Sequence, residues 1–202
     1  MVSRASPAPL PPPRKEGDLS LEAVLSCRRS VREYLARPVS REQIGQLLWA
    51  ACGVTAVEPG LEMRAAPSAG ALYPLEIYVV TPEGVFHYIP RRHELQPLAS
   101  GDLRPALLRA ALEQESIGQA PAVFVITAIY SRTTRKYGRR GAERYVHMEA
   151  GHVAQNLLLQ ATALGLGGVV IGAFEDEAVK NILGLPEAET PLYLIPVGYP
   201  RP

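Results

Sequence analysis

The chain has 202 residues, 47% of them hydrophobic and 20% charged, with a formal net charge of +1. That is enough for one compact domain with a full core, and it gives no overall field to draw in nucleic acid or an anionic membrane. Cys27 and Cys52 are too few for a disulfide scaffold or a four-cysteine zinc site and read as small buried thiols. No apolar run approaches the roughly 18 residues of a membrane span, and MVSRASPAPLPPPRKEG has prolines where a signal peptide carries its apolar stretch, so a cytoplasmic location is the default.

Residues 1–17 are proline-rich and without apolar periodicity, an extended arm that either wraps a partner subunit or is a disordered tail. Residues 18–202 form a single domain. Asp18 is the expected N-cap of a first helix carrying Leu21, Leu25, Val31, Tyr34 and Leu35 and stopped by Pro38. SREQ (Ser40 to Gln43) is a capping box opening a second helix, with Ile44, Leu47 and Leu48 on one face and Gly53 as its stop. PSAGALYP (67–74) is an open turn of small residues whose backbone could approach a ligand, followed by a strand at 75–81 and, after a turn, its hairpin partner at 84–89. Asp102 opens a third helix, and AVFVITAIY (122–130) is apolar on both faces and therefore central. A long helix over 142–164 ends in LGLGG. A strand or turn at 169–174, a short helix at 175–183 and a last strand at 192–198 complete the pattern. Helices and strands mix without strict alternation, which predicts an α+β fold with an antiparallel or mixed sheet.

Several motifs suggest chemistry. GLGG (Gly165 to Gly168) lies between a helix and a strand, the reverse of a dinucleotide fingerprint, and so reads as a helix stop and tight turn. His147 and His152 are five residues apart, about 140° around a helix, and cannot share a metal as an HExxH pair does; no metal is expected. Tyr145, Glu149, His152 and Asn156 form a polar stripe read as a solvent face, while uncharged Ala154 to Gly168 suits a core or a subunit interface. RTTRKYGRR (132–140) is a solvated loop, a nucleic-acid patch, or a chemical site in which arginines make Lys136 a better proton-transfer group beside Tyr137. In RRSVR (28–32), placed inside the first helix, Arg28 and Arg32 share a face and suit a phosphate, or a solvated edge.

RRSVR, PSAGALYP, RTTRKYGRR, EAGHVAQNLLLQATALGLGG, IGAF and PVGYP, in that order, resemble the FMN-dependent nitroreductase superfamily, in particular its SagB-type azoline-dehydrogenase branch. The resemblance runs from about residue 16 to the C-terminus. It implies a nitroreductase-like fold, an intertwined homodimer and FMN at the subunit interface. Arg28, Arg29, Ser30 and Arg32 are then cofactor-binding, Pro67, Ser68, Ala69 and Gly70 reach the flavin from the partner subunit, and Ile171, Gly172 and Ala173 pass its reactive edge. Arg201 meets the phosphate. General nitroreductases carry Asn and Gln where Ala71 and Tyr73 stand, which moves the resemblance toward the SagB branch. There a Lys-Tyr pair, here Lys136-Tyr137, removes a proton as hydride leaves the substrate. The implied activity is oxidation of an azoline-like heterocycle, small or peptidic. Alternatives are an NAD(P)H-dependent nitro or quinone reductase and a non-catalytic flavin-binding partner; no nucleic acid or membrane partner is implied.

Overall fold

The computed structural model describes residues 6–202; the first five residues of the expected arm lie outside this range. The elements run β1 (Ala8–Pro9), α1 (Leu21–Cys27), α2 (Arg41–Cys52), β2 (Val54–Glu58), β3 (Leu61–Arg64), β4 (Leu75–Thr81), β5 (Gly84–Ile89) and β6 (Glu94–Ser100). Then follow α3 (Arg104–Ala110), α4 (Glu115–Gln119), β7 (Ala122–Ala128), α5 (Tyr130–Arg140), α6 (Val146–Ala163), β8 (Gly167–Gly168), α7 (Asp176–Leu183) and β9 (Thr190–Gly198). The main sheet has the order β1-β6-β5-β4-β7-β9-β8, and every pairing in it is antiparallel. The α+β expectation holds, and β7 lies inside the sheet, between β4 and β9.

Every residue of β7 is buried, so its period-2 alternation feeds two cores at once. Phe124 and Ile126 pack with Leu47 and Leu48 of α2 and with Val153 and Leu157 of α6. Val123 and Val125 point the other way, to Leu107 of α3, Ile117 of α4 and Val179 of α7. The capping box forms as expected: the Ser40 hydroxyl accepts from Gln43 N, and the Gln43 side chain accepts from Ser40 N.

The first helix is shorter than expected. Ser20, not Asp18, caps it, and it ends at Cys27, leaving Leu21 and Leu25 exposed. RRSVR is therefore not helical. Residues 28–35 run extended between β8 and the C-terminal segment, with Val31 N donating to Gly168 O at 3.0 Å and Leu35 N to Tyr199 O at 2.9 Å. Buried Tyr34 donates its hydroxyl to Val31 O at 2.6 Å. Apolar residues at 31 and 34 suit either backbone, so their spacing could not decide. Extended chain also frees the arginines from sharing a helix face. Cys27 is exposed and only Cys52 is the buried thiol expected.

Five strands were not foreseen, the two-residue β1 and β8 among them. β6 is broken by Pro97 and covered on its far edge only by β1, while β2 and β3 form a separate, largely exposed hairpin with no clean alternation. The described part of the arm lies on its own chain: Arg41 donates to Ala8 O and Pro9 O, and Leu10 is buried.

The glycines of GLGG do stop α6, with Gly165 at φ +69, but their larger role is close packing. A Cβ on Gly167 would sit 2.4 Å from Val31 Cγ2, and one on Gly198 would sit 2.6 Å from Pro121 Cδ and 3.0 Å from Tyr34. Only hydrogen at these positions lets residues 28–35 reach the sheet. Gly167→Ala and Gly198→Ala should each lower stability by about 1–3 kcal/mol through overpacking, read as a lower midpoint in urea denaturation with unchanged m-value.

Candidate active site

The PSAGALYP loop precedes β4 and contains a short 3-10 turn at Ala69–Ala71. Gly70 lies at φ +64, and two non-glycine neighbours, Ala71 and Tyr73, also have positive φ (+53 and +44). Such conformations persist only where the surroundings impose them. Tyr73 is held on all sides. Its N–H donates to Ser68 Oγ at 2.9 Å, its carbonyl accepts from Arg132 Nη1 at 3.0 Å, and its hydroxyl accepts from Arg64 N at 3.2 Å. The Arg64 guanidinium lies over its ring at 4.4 Å.

Lys136 and Tyr137 are on α5, which makes the cluster at 132–140 a helix, so of its three readings the solvated loop does not hold. The helix breaks at Gly138 (φ +55, ψ −146), directly after the pair, and a π-helical turn at Gly141–Tyr145 links it to α6. Thus the structure brings the Lys-Tyr pair onto the loop. A Cβ on Gly70 would lie 2.7 Å from the Tyr137 hydroxyl and 3.0 Å from Lys136 Nζ. One helical turn before Lys136, Arg132 ties α5 both to Tyr73 O and, at 2.5 Å, to Glu76 of β4. Glu76 also meets His87 Nε2 at 2.7 Å, and the His87 ring stacks on Tyr78. Burial, the largest single effect, pushes the Glu76 carboxyl up, but His87 and Arg132 together hold it below the usual carboxylate range.

On the other flank of the loop, Pro67, Ser68 and Ala69 face Tyr145, Met148, Glu149 and His152 across a cleft of about 240 Å³. The Tyr145 ring meets Tyr137 edge-on at 5.0 Å, so the cleft and the Lys-Tyr pair are contiguous. Glu149 is not on a solvent face as the polar stripe suggested; it is 5% exposed.

The remaining expected site residues gather elsewhere. Ser30 bridges to Gly168, Arg201 N donates to Glu33 O at 3.1 Å, and Arg32 lines a second cleft with Val169, Val170 and Ile171. Ile171 bridges to Leu194, and Gly172 and Ala173 beyond it are exposed. Among the described residues, Arg28, Arg29, Arg32 and Arg201 make no ion pair with a carboxylate, whereas Arg64, Arg104 and Arg132 all do. Unpaired guanidinium groups beside an exposed backbone segment fit the phosphate and ring edge of a flavin mononucleotide.

The arginines and the PSAGALYP loop lie toward opposite ends of the sheet, and Ile171 lies between them, opposite Leu194, which pairs with Val125 in the middle of β7. Leu75, next to the PSAGALYP loop, pairs with Ala128 at the end of β7, while Gly198 and the chain leading to Arg201 adjoin Ala122 and Val123 at its start. Along β7 that separation is about 20 Å. The two clefts share no lining residue.

Arg64, Tyr73, Glu76, Arg132 and Glu149 support the site but were not foreseen in these roles. The sequence did hold one signal: a lone charged residue, Glu76, inside the apolar strand LEIYVVT, which needs a partner if buried. Among the described residues no group of His, Cys, Asp and Glu could hold a metal, and no helix is long and apolar enough to cross a membrane.

Residues 25–199 match the model of the nitroreductase family. The chain is 50% identical over 187 residues to "Putative nitroreductase MJ1384" of Methanocaldococcus jannaschii, covering 90% of this chain and 91% of that one. It is 30% identical over 140 residues to the Escherichia coli microcin B17-processing protein McbC, covering 63% of this chain and about half (51%) of McbC. A crystal structure described as "a putative nitroreductase" of Ralstonia eutropha superposes with a TM-score of 0.87 at 30% identity, over 100% of this chain and 93% of that one.

Glu76→Gln should cost about 1–2 kcal/mol, less than a fully buried pair because Arg132 is part exposed. Because the Glu76 pKa is depressed in the folded state, its stabilisation is present above the unfolded value of 4.5 and lost as pH falls through the folded value. Acid unfolding below pH 4.5 should accordingly be shallower in Glu76→Gln than in the wild type, as followed by circular dichroism.

Proposed function

The chain belongs to the nitroreductase family of oxidoreductases, and on that premise we propose that it is an FMN-dependent dehydrogenase of the SagB type, oxidising an azoline-like heterocycle. The observation that carries this reading is the seat of Lys136 and Tyr137 against Gly70, a basic amine and a phenol beside the loop that the family resemblance implies for the cofactor. Its likeness to McbC, a protein named for processing microcin B17, supports the same branch.

FMN, when bound, would supply the two-electron acceptor chemistry that no side chain provides. The protein's part is to hold, orient and move a proton. Arg28, Arg32 and Arg201 would grip the phosphate, with Arg29 and Ser30 beside them. Arg29 is braced for this, its Nη1 donating to Ser26 O and Arg28 O. Ile171, Gly172 and Ala173 would border the ring with little bulk, as would Pro67, Ser68, Ala69 and Gly70. Dehydrogenation of the heterocycle removes a hydride and a proton. Lys136 Nζ is the proton acceptor in this reading, and the Tyr137 hydroxyl, held by the Gly138 break and the Tyr145 ring, orients the amine and the substrate.

A homodimer accounts for the separation of the arginines from the PSAGALYP loop. One copy would contribute the arginines and residues 171–173, and its partner the PSAGALYP loop with Lys136 and Tyr137. The apolar groove formed by Leu19, Leu21, Val24, Ala50 and Leu159 flanks α6 and would give such a pair a surface to bury.

A second reading is favoured by the relative named a nitroreductase: reduction of nitroaromatics or quinones by NAD(P)H, with Lys136 and Tyr137 only supporting the loop. Purified protein should be yellow and release FMN on denaturation; a colourless protein that cannot be reconstituted with FMN would falsify both readings. An azoline peptide should bleach the bound flavin anaerobically. Lys136→Ala should slow this by about 10²–10⁴-fold, as for loss of a general base, with the FMN content unchanged. Bleaching by NAD(P)H but not by azoline, insensitive to Lys136→Ala, would establish the reductase instead.

A further inference from the structure

Glu149 has no use in the mechanism above, yet it is a buried carboxyl in the first turn of α6, directly across the cleft from Pro67, Ser68 and Ala69. The groups around it come from several elements. Ser68 faces it from the loop and Arg64 from β3. Tyr145 and His152 line the same cleft from the turn before α6 and from α6 itself. The buried Cys52 thiol of α2 lies within electrostatic range of Glu149. None of these gives Glu149 a counter-ion. The one cation near it, Arg64, is already bound to Glu62 through Nε at 3.2 Å and Nη2 at 3.1 Å. Among the described residues Glu149 makes no ion pair.

A carboxyl so placed has two ways to exist: as a buried charge without a counter-ion, or as a neutral acid with one O–H to donate. Burial, the dominant influence, pushes its pKa up to about 7, and the Ser68 hydroxyl and Arg64 pull it back only in part. Glu149 lines the cleft on the side facing Pro67, Ser68 and Ala69. A planar ligand laid over Pro67 to Ala69 would close that side, and further desolvation disfavours the charged form.

We propose that Glu149 is a ligand-linked proton carrier of this site: it takes up a proton when FMN covers the cleft, and then presents a neutral hydrogen-bond donor, not a carboxylate, to the bound ring and its substrate. The inference rests on the FMN reading. It makes Glu149 a specificity residue as well, since a neutral donor favours ligands that offer a carbonyl or ring-nitrogen acceptor to this flank. By linkage, whatever raises the pKa of Glu149 on binding must weaken binding as pH rises. FMN affinity should be level below pH 7 and fall above it, by up to about tenfold per pH unit while the free form is ionised and the bound form is not.

The test is the dissociation constant of FMN for the apoprotein, from quenching of flavin fluorescence between pH 6 and 9, for wild type, Glu149→Gln and His152→Gln. Titration of the phosphate of FMN is common to all three proteins and cancels in the comparison. His152 lines the same cleft, so its variant separates an imidazole contribution from that of the carboxyl. The expected result is an added loss of affinity above pH 7 in wild type and His152→Gln that is absent in Glu149→Gln. Equal slopes in wild type and Glu149→Gln would overturn the inference while leaving the FMN reading intact; no FMN binding at any pH would overturn both. Should Glu149→Gln fail to fold, proton uptake by His152→Gln on mixing with riboflavin, which has no phosphate, decides the matter in weakly buffered solution at pH 7.5. Uptake of a fraction of a proton per site supports the inference, and no uptake or release refutes it.

Discussion

The geometry of the candidate site depends on the double antiparallel pairing of β7. A strand of seven buried residues with apolar side chains on both faces cannot sit at an edge. Its neighbours β4 and β9 both run against it, and that fixes which chain ends emerge where. The loop before β4 and the helix after β7 must share one end of the sheet. The chain leaving β9 must appear at the other. The Lys-Tyr pair meets the PSAGALYP loop for this reason, and the cluster of unpaired arginines is kept away from both.

At the first end, strain and restraint balance. Two positions of positive φ among non-glycine residues, Ala71 and Tyr73, would not survive in an isolated turn. They persist because Ser68, Arg64 and Arg132 engage the backbone, hydroxyl and ring of Tyr73 from three directions. Arg132 is the most consequential of these, because it lies on the helix that carries Lys136 and is braced on Glu76 of the sheet. The position of the amine is therefore set by the sheet through one carboxylate, and not by the mobility of a lysine side chain alone.

At the second end, the device is the absence of side chains. Gly167, Gly168 and Gly198 allow residues 28–35 to lie directly on the sheet margin, where a single methyl group would collide with Val31, Pro196 O or Pro121. A segment laid down in this way holds Arg28, Arg29 and Arg32 outward with no carboxylate to neutralise them. Repulsion among the guanidinium groups is tolerable in extended chain beside solvent. It would be relieved further by an anionic ligand.

The sequence by itself determined the α+β class, the capping box of α2, the 75–81/84–89 hairpin and the central, doubly apolar β7, because local propensity and periodicity agree there. It also contained the motifs of the site in order. It did not determine that α1 stops at Cys27, since Val31 and Tyr34 fit a helix or an extended chain equally and only contact with Gly168 and the C-terminal segment selects between them. Nor could it place Glu149, whose spacing along α6 reads as a polar stripe until the PSAGALYP loop closes over it. Which residues become neighbours across 60 or more positions, as Tyr137 and Gly70 do, was decided by strand order alone. Strand order is a property of the whole packed core, and no local stretch of the chain encodes it.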